Sequence, residues 1–193
     1  MKTKVLSILL LLTTFYSFSQ VSERLKSSTQ KFYEANYLMD FENIVSLLHP
    51  EMVKSFGKDV LSEKLDKFYE NDEYRLREQL EILPFQYAAI KKIGEKSFCV
   101  ITFRNPMRYF FETKLSAETA AEKTAWLKQI NKTKDVIFEP KRNSFNVKKI
   151  TTYIAVMEET TNNEWMFFNL DDANQLASFQ AIFDESIKKE LGL

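Results

Sequence analysis

The chain has 193 residues, and its 27 lysines and arginines balance 27 aspartates and glutamates, so the formal net charge is zero. That balance gives no electrostatic reason to expect a nucleic-acid partner or an anionic membrane surface. One histidine excludes a metal site built on several histidines, and three glycines exclude a Gly-rich phosphate-binding loop, so we expect neither a metal nor a cofactor.

The N-terminus has the layout of a secretory signal. Two lysines precede an apolar run from Val5 to Leu12, and a polar, serine-containing tail follows. The apolar run is shorter than the roughly 20 residues that span a bilayer. We therefore expect a signal peptide over residues 1–19, cleavage after Ser19, and one exported domain over residues 20–193, periplasmic or extracellular, without a membrane span; an uncleaved N-terminal anchor is the alternative.

An exported chain with one cysteine has no internal disulfide, so its core must supply the stability. The chain has 17 phenylalanines, eight tyrosines and two tryptophans for that purpose. Cys99 lies in the apolar run FCVITF, which is typical of a small core residue rather than of a nucleophile.

Three helices are predicted after the signal. SERLKSSTQKFYEANYLMDF has apolar residues at helical spacing, and Asp40 can cap a second, short helix over FENIVSLL. Pro50 disfavours helical geometry at His49 and so ends that helix. Gly57 permits a turn, and Asp59 can cap the third helix.

Strands dominate from residue 74 onward. YRLREQLEILPFQYAAIKKI has apolar residues at even spacing and predicts a long strand with a break near Pro84. SFCVITFRNP is a second strand that MRYFFET can continue beyond Pro106. Residues 116–132 are rich in helix formers, with Ser116 as N-cap. DVIFE, SFNVKKITTYIAVMEE and WMFFN are strands, and Asp171 or Asp172 opens a closing helix.

This order of elements predicts an α+β domain, because strands joined by short turns pair antiparallel. The pattern resembles the nuclear transport factor 2-like superfamily, a cystatin-like cone shared with ketosteroid isomerases and polyketide cyclases, in an exported bacterial form. The resemblance rests on the early helices broken by LLHPEMVKSFGKD and on the hairpin TTYIAVMEETTNNEWMFFN. The inserted helix and the long closing helix depart from the minimal pattern.

The resemblance implies N-terminal helices packed on a curved, mostly antiparallel sheet, with a pocket in the mouth of the cone. It implies no reaction, because one fold serves enzymes, binders and dimerisation modules. Ketosteroid-isomerase-type chemistry needs a carboxylate and a hydrogen-bonding acid in an apolar cone. We see no acidic residue in the middle of a strand, so no catalytic residue transfers.

Weak catalytic candidates are Tyr37, Asp40 and His49. Tyr37 and Asp40 are three residues apart and could share a helix face, although Tyr37 also suits the core and Asp40 a cap. His49 could act as a base, since its unperturbed pKa lies near neutrality. The alternative is a cationic histidine at a helix end, where the dipole favours positive charge.

Ligand-binding candidates lie on the strands and the first helix. Arg104 and Arg108 could hold an anionic group at the mouth of the cone, or could face water at a strand exit. The aromatic and apolar candidates for the interior are Tyr37, Phe103, Tyr153 and Trp165.

Both faces of the last two strands are apolar, whereas an antiparallel sheet usually leaves one face wet. Either the closing helix or a second copy must cover the second face, so a homodimer is one expectation. We expect a non-catalytic protein that binds an apolar small molecule or a protein partner. The alternative is an isomerase or dehydratase that uses an acid–base pair in the cone.

Overall fold

The computed structural model describes residues 22–81 and 83–193, and the predicted signal at residues 1–19 lies outside the described residues. In the described ranges the fold is α+β, with N-terminal helices, an open antiparallel sheet and C-terminal helices, as the sequence predicts. No helix in these ranges is both long enough and apolar enough to cross a membrane.

Seven α-helices lie in the part of the chain that the structure describes: α1 over residues 22–38, α2 Phe41–Leu47, α3 Pro50–Phe56, α4 Lys58–Tyr69, α5 Ala117–Ile130, α6 Ala173–Ile182 and α7 Glu185–Leu191. Short polar caps begin several of them as predicted. The side chains of Asp40, Ser116 and Asp172 accept hydrogen bonds from the first-turn N–H groups of α2, α5 and α6.

Two expectations about the early helices are wrong. α2 ends before His49, as predicted, but the residues between it and Gly57 form a separate helix, α3, that was not predicted from the sequence. Pro50 begins α3, where a proline at the first position loses no hydrogen bond. The N-cap of α4 is Gly57, with φ 81°, rather than Asp59. The N-terminal unit therefore has four helices instead of three.

The strands, in chain order, are β1 Arg75–Glu78, β2 Gln86–Tyr87, β3 Lys91–Ile93, β4 Lys96–Phe110, β5 Val136–Glu139, β6 Ser144–Met157 and β7 Met166–Asn169. β4 and β6 are long and pair antiparallel over their whole length, which makes them the centre of the sheet. β1, β2 and β3 follow one another along the free edge of β4, and β5 and β7 along the free edge of β6.

The single long strand predicted over residues 74–93 is in fact three short ones. β1 pairs with β4 as far as Glu78 opposite Met107, and Gln79 N–H still donates to Pro106 C=O at 2.8 Å. Pro106 has no N–H to return, so the ladder ends there. The expectation that β4 continues through Pro106 is confirmed.

Helices cover both faces of the sheet. On one face Phe32 of α1 contacts Tyr153 and Phe167 with ring centroids 5.0 and 4.9 Å apart. On the other face, the Phe179 ring of α6 lies 5.5 Å from the Phe168 ring. The closing helix thus covers the second face near β7. Further along β6 the cover ends, and Ile150 is 64 % exposed.

Candidate functional site

The three weak catalytic candidates lie in different parts of the fold and do not form one site. Tyr37 is half-buried and lines an open groove of about 380 Å³. Asp40 lines another groove, of about 310 Å³, and caps α2 by accepting the Asn43 N–H at 3.1 Å. His49 is fully buried in the core.

Both ring nitrogens of His49 are engaged. Nδ1 accepts the Glu51 N–H at 3.3 Å, and Nε2 lies 2.8 Å from Glu158 Oε1. Because Nδ1 is an acceptor, Nε2 carries the proton and donates a hydrogen bond to the Glu158 carboxylate. Lys96 forms an ion pair with the other Glu158 oxygen, Oε2. The carboxylate thus joins the α2–α3 junction to the start of β4.

His49 is a neutral N-cap of α3, and the predicted cation at the end of α2 is wrong. Its ring stacks on Phe168 at 5.2 Å and meets the Phe183 ring edge-on at 5.6 Å. Burial, followed by the positive charge of Lys96, lowers the pKa of His49 to about 4. With both nitrogens bonded inside the core, the ring presents no polar atom to a substrate.

A buried carboxyl that sequence reasoning missed lies on β1. Glu78 is 6 % exposed and faces the same side of the sheet as Met107, its partner on β4. The expectation concerned acidic residues in the middle of a strand and did not consider strand ends, and Glu78 is the last residue of β1. The signal was present, because Glu78 has the same even spacing as Leu76 and Leu80 in LREQL.

Glu78 pairs with a buried amide. Its Oε1 accepts from Asn105 Nδ2 at 3.1 Å, whereas Glu78 Oε2 and Asn105 Oδ1 are buried and have no hydrogen-bond partner among the residues of the two described ranges. Burial raises the pKa of Glu78 to about 7. The two unpartnered oxygens belong to groups that already share one hydrogen bond, so a proton on Oε2 offers a donor to Oδ1.

The aromatic candidates for ligand binding lie in the core. Phe103 and Trp165 are each 2 % exposed, and Tyr153 is fully buried. The Phe103 ring lies 4.9 Å from that of Tyr153 and 5.8 Å from that of Tyr33 on α1. These rings occupy the space between α1 and the sheet in which an apolar ligand was expected.

Arg104 lies instead at the surface, in a groove of about 550 Å³ on the second face of the sheet. This β6 groove is lined by residues of four parts of the chain: Arg104, residues 130–133 with Asp135, residues 148–150 of β6, and Leu170, Asp171, Ala173 and Leu176 at the end of β7 and in the first turn of α6. Its volume is in the range of small-ligand sites. Arg108, the other predicted arginine, binds Asn146 Oδ1 at 2.8 Å outside this lining.

The β6 groove combines apolar and cationic surface. Ile150 and Ile130, which are 64 % and 46 % exposed, form its apolar part. The cations of the lining are Arg104, Lys132, Lys148 and Lys149. The ion pairs join Arg104 to Asp135, Lys149 to Asp171 at 2.9 Å, and Lys148 to Glu81 at 3.5 Å. Among the described residues Lys132 has no ion-pair partner, so its positive charge in the groove is not balanced by an acidic side chain.

No protein-family model and no curated protein matches this chain. In the described residues, no group of three or more histidine, cysteine, aspartate or glutamate side chains is placed so as to hold a metal ion. The β6 groove and the buried Glu78–Asn105 pair are therefore the two features of the described residues from which a function can be inferred.

Proposed function

We propose that this protein is a non-catalytic binding protein and that the β6 groove is its binding surface. The observation that carries the proposal is the exposure of Ile150 and Ile130 in one groove whose lining also contains Lys132, which has no ion-pair partner in the part of the chain that the structure describes. Exposed apolar surface of this kind marks interaction sites. The partner is amphipathic, with an apolar group for the two isoleucines and an acidic group for Lys132.

Two further parts of this proposal concern family and location. The helix-covered antiparallel sheet supports membership of the nuclear transport factor 2-like superfamily, because that family also packs N-terminal helices on a curved sheet. The lysines and apolar run of residues 1–19 support export to the periplasm or the extracellular space. Native mass spectrometry of the protein purified from its source tests both the processed mass and a homodimer.

Binding is tested with 4-methylpentanoate, a small branched carboxylate, by amide NMR titration of the purified protein. We expect saturable shifts centred on Ile130, Lys132 and Ile150, and weaker shifts with the neutral 4-methylpentanamide. Lys132→Gln should weaken binding, whereas Lys54→Gln, which alters an exposed lysine of α3, should not. Ile150→Thr should also weaken it, with Ile137→Thr on β5 as the matched control. Shifts that are absent, or that lie elsewhere, overturn the proposal.

A second candidate function is an acid–base enzyme that uses Glu78 in place of Asp40 and His49. The observation in its favour is that Glu78, with a pKa of about 7, lines the 380 Å³ groove together with Tyr37. Deuterium exchange at the α-carbon of acetylacetone tests it. Acceleration that Glu78→Gln abolishes supports the enzyme, and exchange no faster than in buffer removes it.

A further inference from the structure

The edge of β6 is open at the floor of the groove. β5 pairs with β6 as far as Val147, and β7 pairs with it only from Tyr153 onward. Among the described strands, residues 148–152 therefore have no partner on this edge, although they pair with β4 on the other. The open stretch is roughly 13 Å long at about 3.3 Å per residue.

Two hydrogen bonds close the ends of this stretch. Lys148 N–H donates to Asp135 C=O at 3.0 Å, and Thr152 C=O accepts from Leu170 N–H at 3.0 Å. Backbone groups two residues apart in a strand point to the same edge. Ile150 lies midway between Lys148 and Thr152, so its N–H and C=O both point into the gap.

Pro106 on β4 gives a second reason to conclude that the Ile150 N–H and C=O point away from β4 and into the gap. Lys148 lies opposite Pro106, and Ile150 lies opposite Arg104 two residues further along the same ladder. Pro106 has no N–H to donate to Lys148, so that pair is not hydrogen-bonded, and neither is the equivalent pair at Ile150. The Ile150 amide and carbonyl are thus available to a bound molecule.

We propose that the β6 groove binds the C-terminal residue of a polypeptide, and this inference rests on the binding function proposed above. One residue paired with Ile150 fills the gap: its carboxylate accepts the Ile150 N–H, and its own N–H donates to the Ile150 C=O. A strand that continued past Ile150 would run into Asp135 or Leu170, which close the two ends. A peptide that ends opposite Ile150 does not reach Asp135, and its preceding residues leave the sheet edge before Leu170.

The side chain and charge of that residue follow from the same pairing. Paired residues of two strands present their side chains on the same face, so the terminal side chain lies beside Ile150 and is apolar. The terminal carboxylate can form an ion pair with Lys132, which has no such partner among the described residues. The partner is therefore a protein that ends in a residue such as leucine or valine.

Three peptides test this inference by amide NMR titration and calorimetry: Ac-Ser-Gly-Ser-Leu with a free carboxylate, its C-terminal amide, and the acid with N-methyl-leucine at its end. We expect the free acid to bind at Ile150 at least about tenfold more tightly than either analogue. N-methylation removes the donor to the Ile150 C=O, and amidation removes the negative charge that pairs with Lys132 and leaves a weaker, neutral acceptor for the Ile150 N–H. Lys132→Gln should reduce this preference for the acid, and Lys54→Gln should leave it intact.

Two outcomes overturn the inference. If the N-methyl peptide binds as well as its parent, the Ile150 pairing is wrong, and if the amide binds as well as the acid, the groove does not recognise a terminal carboxylate. Should 4-methylpentanoate still shift the groove residues in that case, the binding function stands and only its peptide partner fails. If neither the carboxylate nor the peptides bind there, both proposals fail.

Discussion

Replacing Glu78 by glutamine should stabilise this protein at alkaline pH. The folded pKa of Glu78 is about 7 and its ordinary value is 4.5, so folding favours the protonated form. The contribution of this proton to stability is complete below pH 4.5 and is lost as the pH rises through 7. The two values differ by about 2.5, which corresponds to about 3 kcal/mol.

Glutamine mimics the protonated acid, since its NH₂ can donate to Asn105 Oδ1 while its carbonyl accepts from Asn105 Nδ2. We expect Glu78→Gln to unfold at higher urea than the wild type at pH 8, with a free energy of unfolding about 3 kcal/mol larger. Near pH 4.5 the two proteins should agree within about 1 kcal/mol. The corresponding rise in melting temperature at pH 8 is about 6–12 °C for a chain of this size.

Urea unfolding followed by tryptophan fluorescence at pH 4.5, 6 and 8 measures the free energies of unfolding, and thermal unfolding at pH 8 measures the melting temperature. Glu81→Gln is the matched control, because Glu81 is half-exposed and pairs with Lys148 at the surface. A Glu78→Gln protein that is less stable than the wild type at pH 8 would refute the reasoning. So would a stability difference that is the same at all three pH values.

Three other outcomes follow from the described contacts. His49→Gln should lower the free energy of unfolding by about 2 kcal/mol at pH 7, measured in urea, because it removes the ring from Phe168 and disturbs a buried bond to the Glu158 carboxylate. Asp40→Ala should cost about 1 kcal/mol through loss of the α2 cap, without changing ligand binding by the β6 groove. Cys99 is fully buried and burial raises the pKa of its thiol to about 11, so a thiol reagent should label it only at the rate of unfolding, and rapid labelling of the folded protein would contradict its place in the core.

The elements that the sequence predicts well are those with local causes. Asp40 and Ser116 begin helices because each side chain reaches an N–H three residues ahead, which requires no knowledge of the rest of the fold. Pro50 shows the limit of such signals, since a proline disfavours the helix before it and equally suits the first turn of the next. The choice between these roles depends on distant contacts, such as the bridge between Leu48 and Phe167.

The candidate sites depend on strand register, which no local pattern contains. The even spacing of Leu76 and Glu78 indicates that Glu78 faces inward, but its partner Asn105 lies 27 residues away on another strand. Likewise the β6 groove exists because β5 stops at Val147 and β7 begins at Tyr153. Arg104 could be singled out from its position in the sequence, whereas the open backbone of Ile150 could not.

The titrations of His49 and Glu78 change the free energy of unfolding in opposite directions over the same pH range. The pKa of His49 falls on folding, so its contribution to stability is present above its ordinary value of 6.5 and is lost as the pH falls towards 4. Glu78 acts in the opposite sense, because its pKa rises on folding. As the pH rises from about 4.5 to 6.5, the stability gained through His49 offsets the stability lost through Glu78. The two effects cancel in the pH dependence of wild-type stability, and each is seen only when the other group is replaced. The free energy of unfolding of Glu78→Gln should rise with pH across this range. That of His49→Gln should fall.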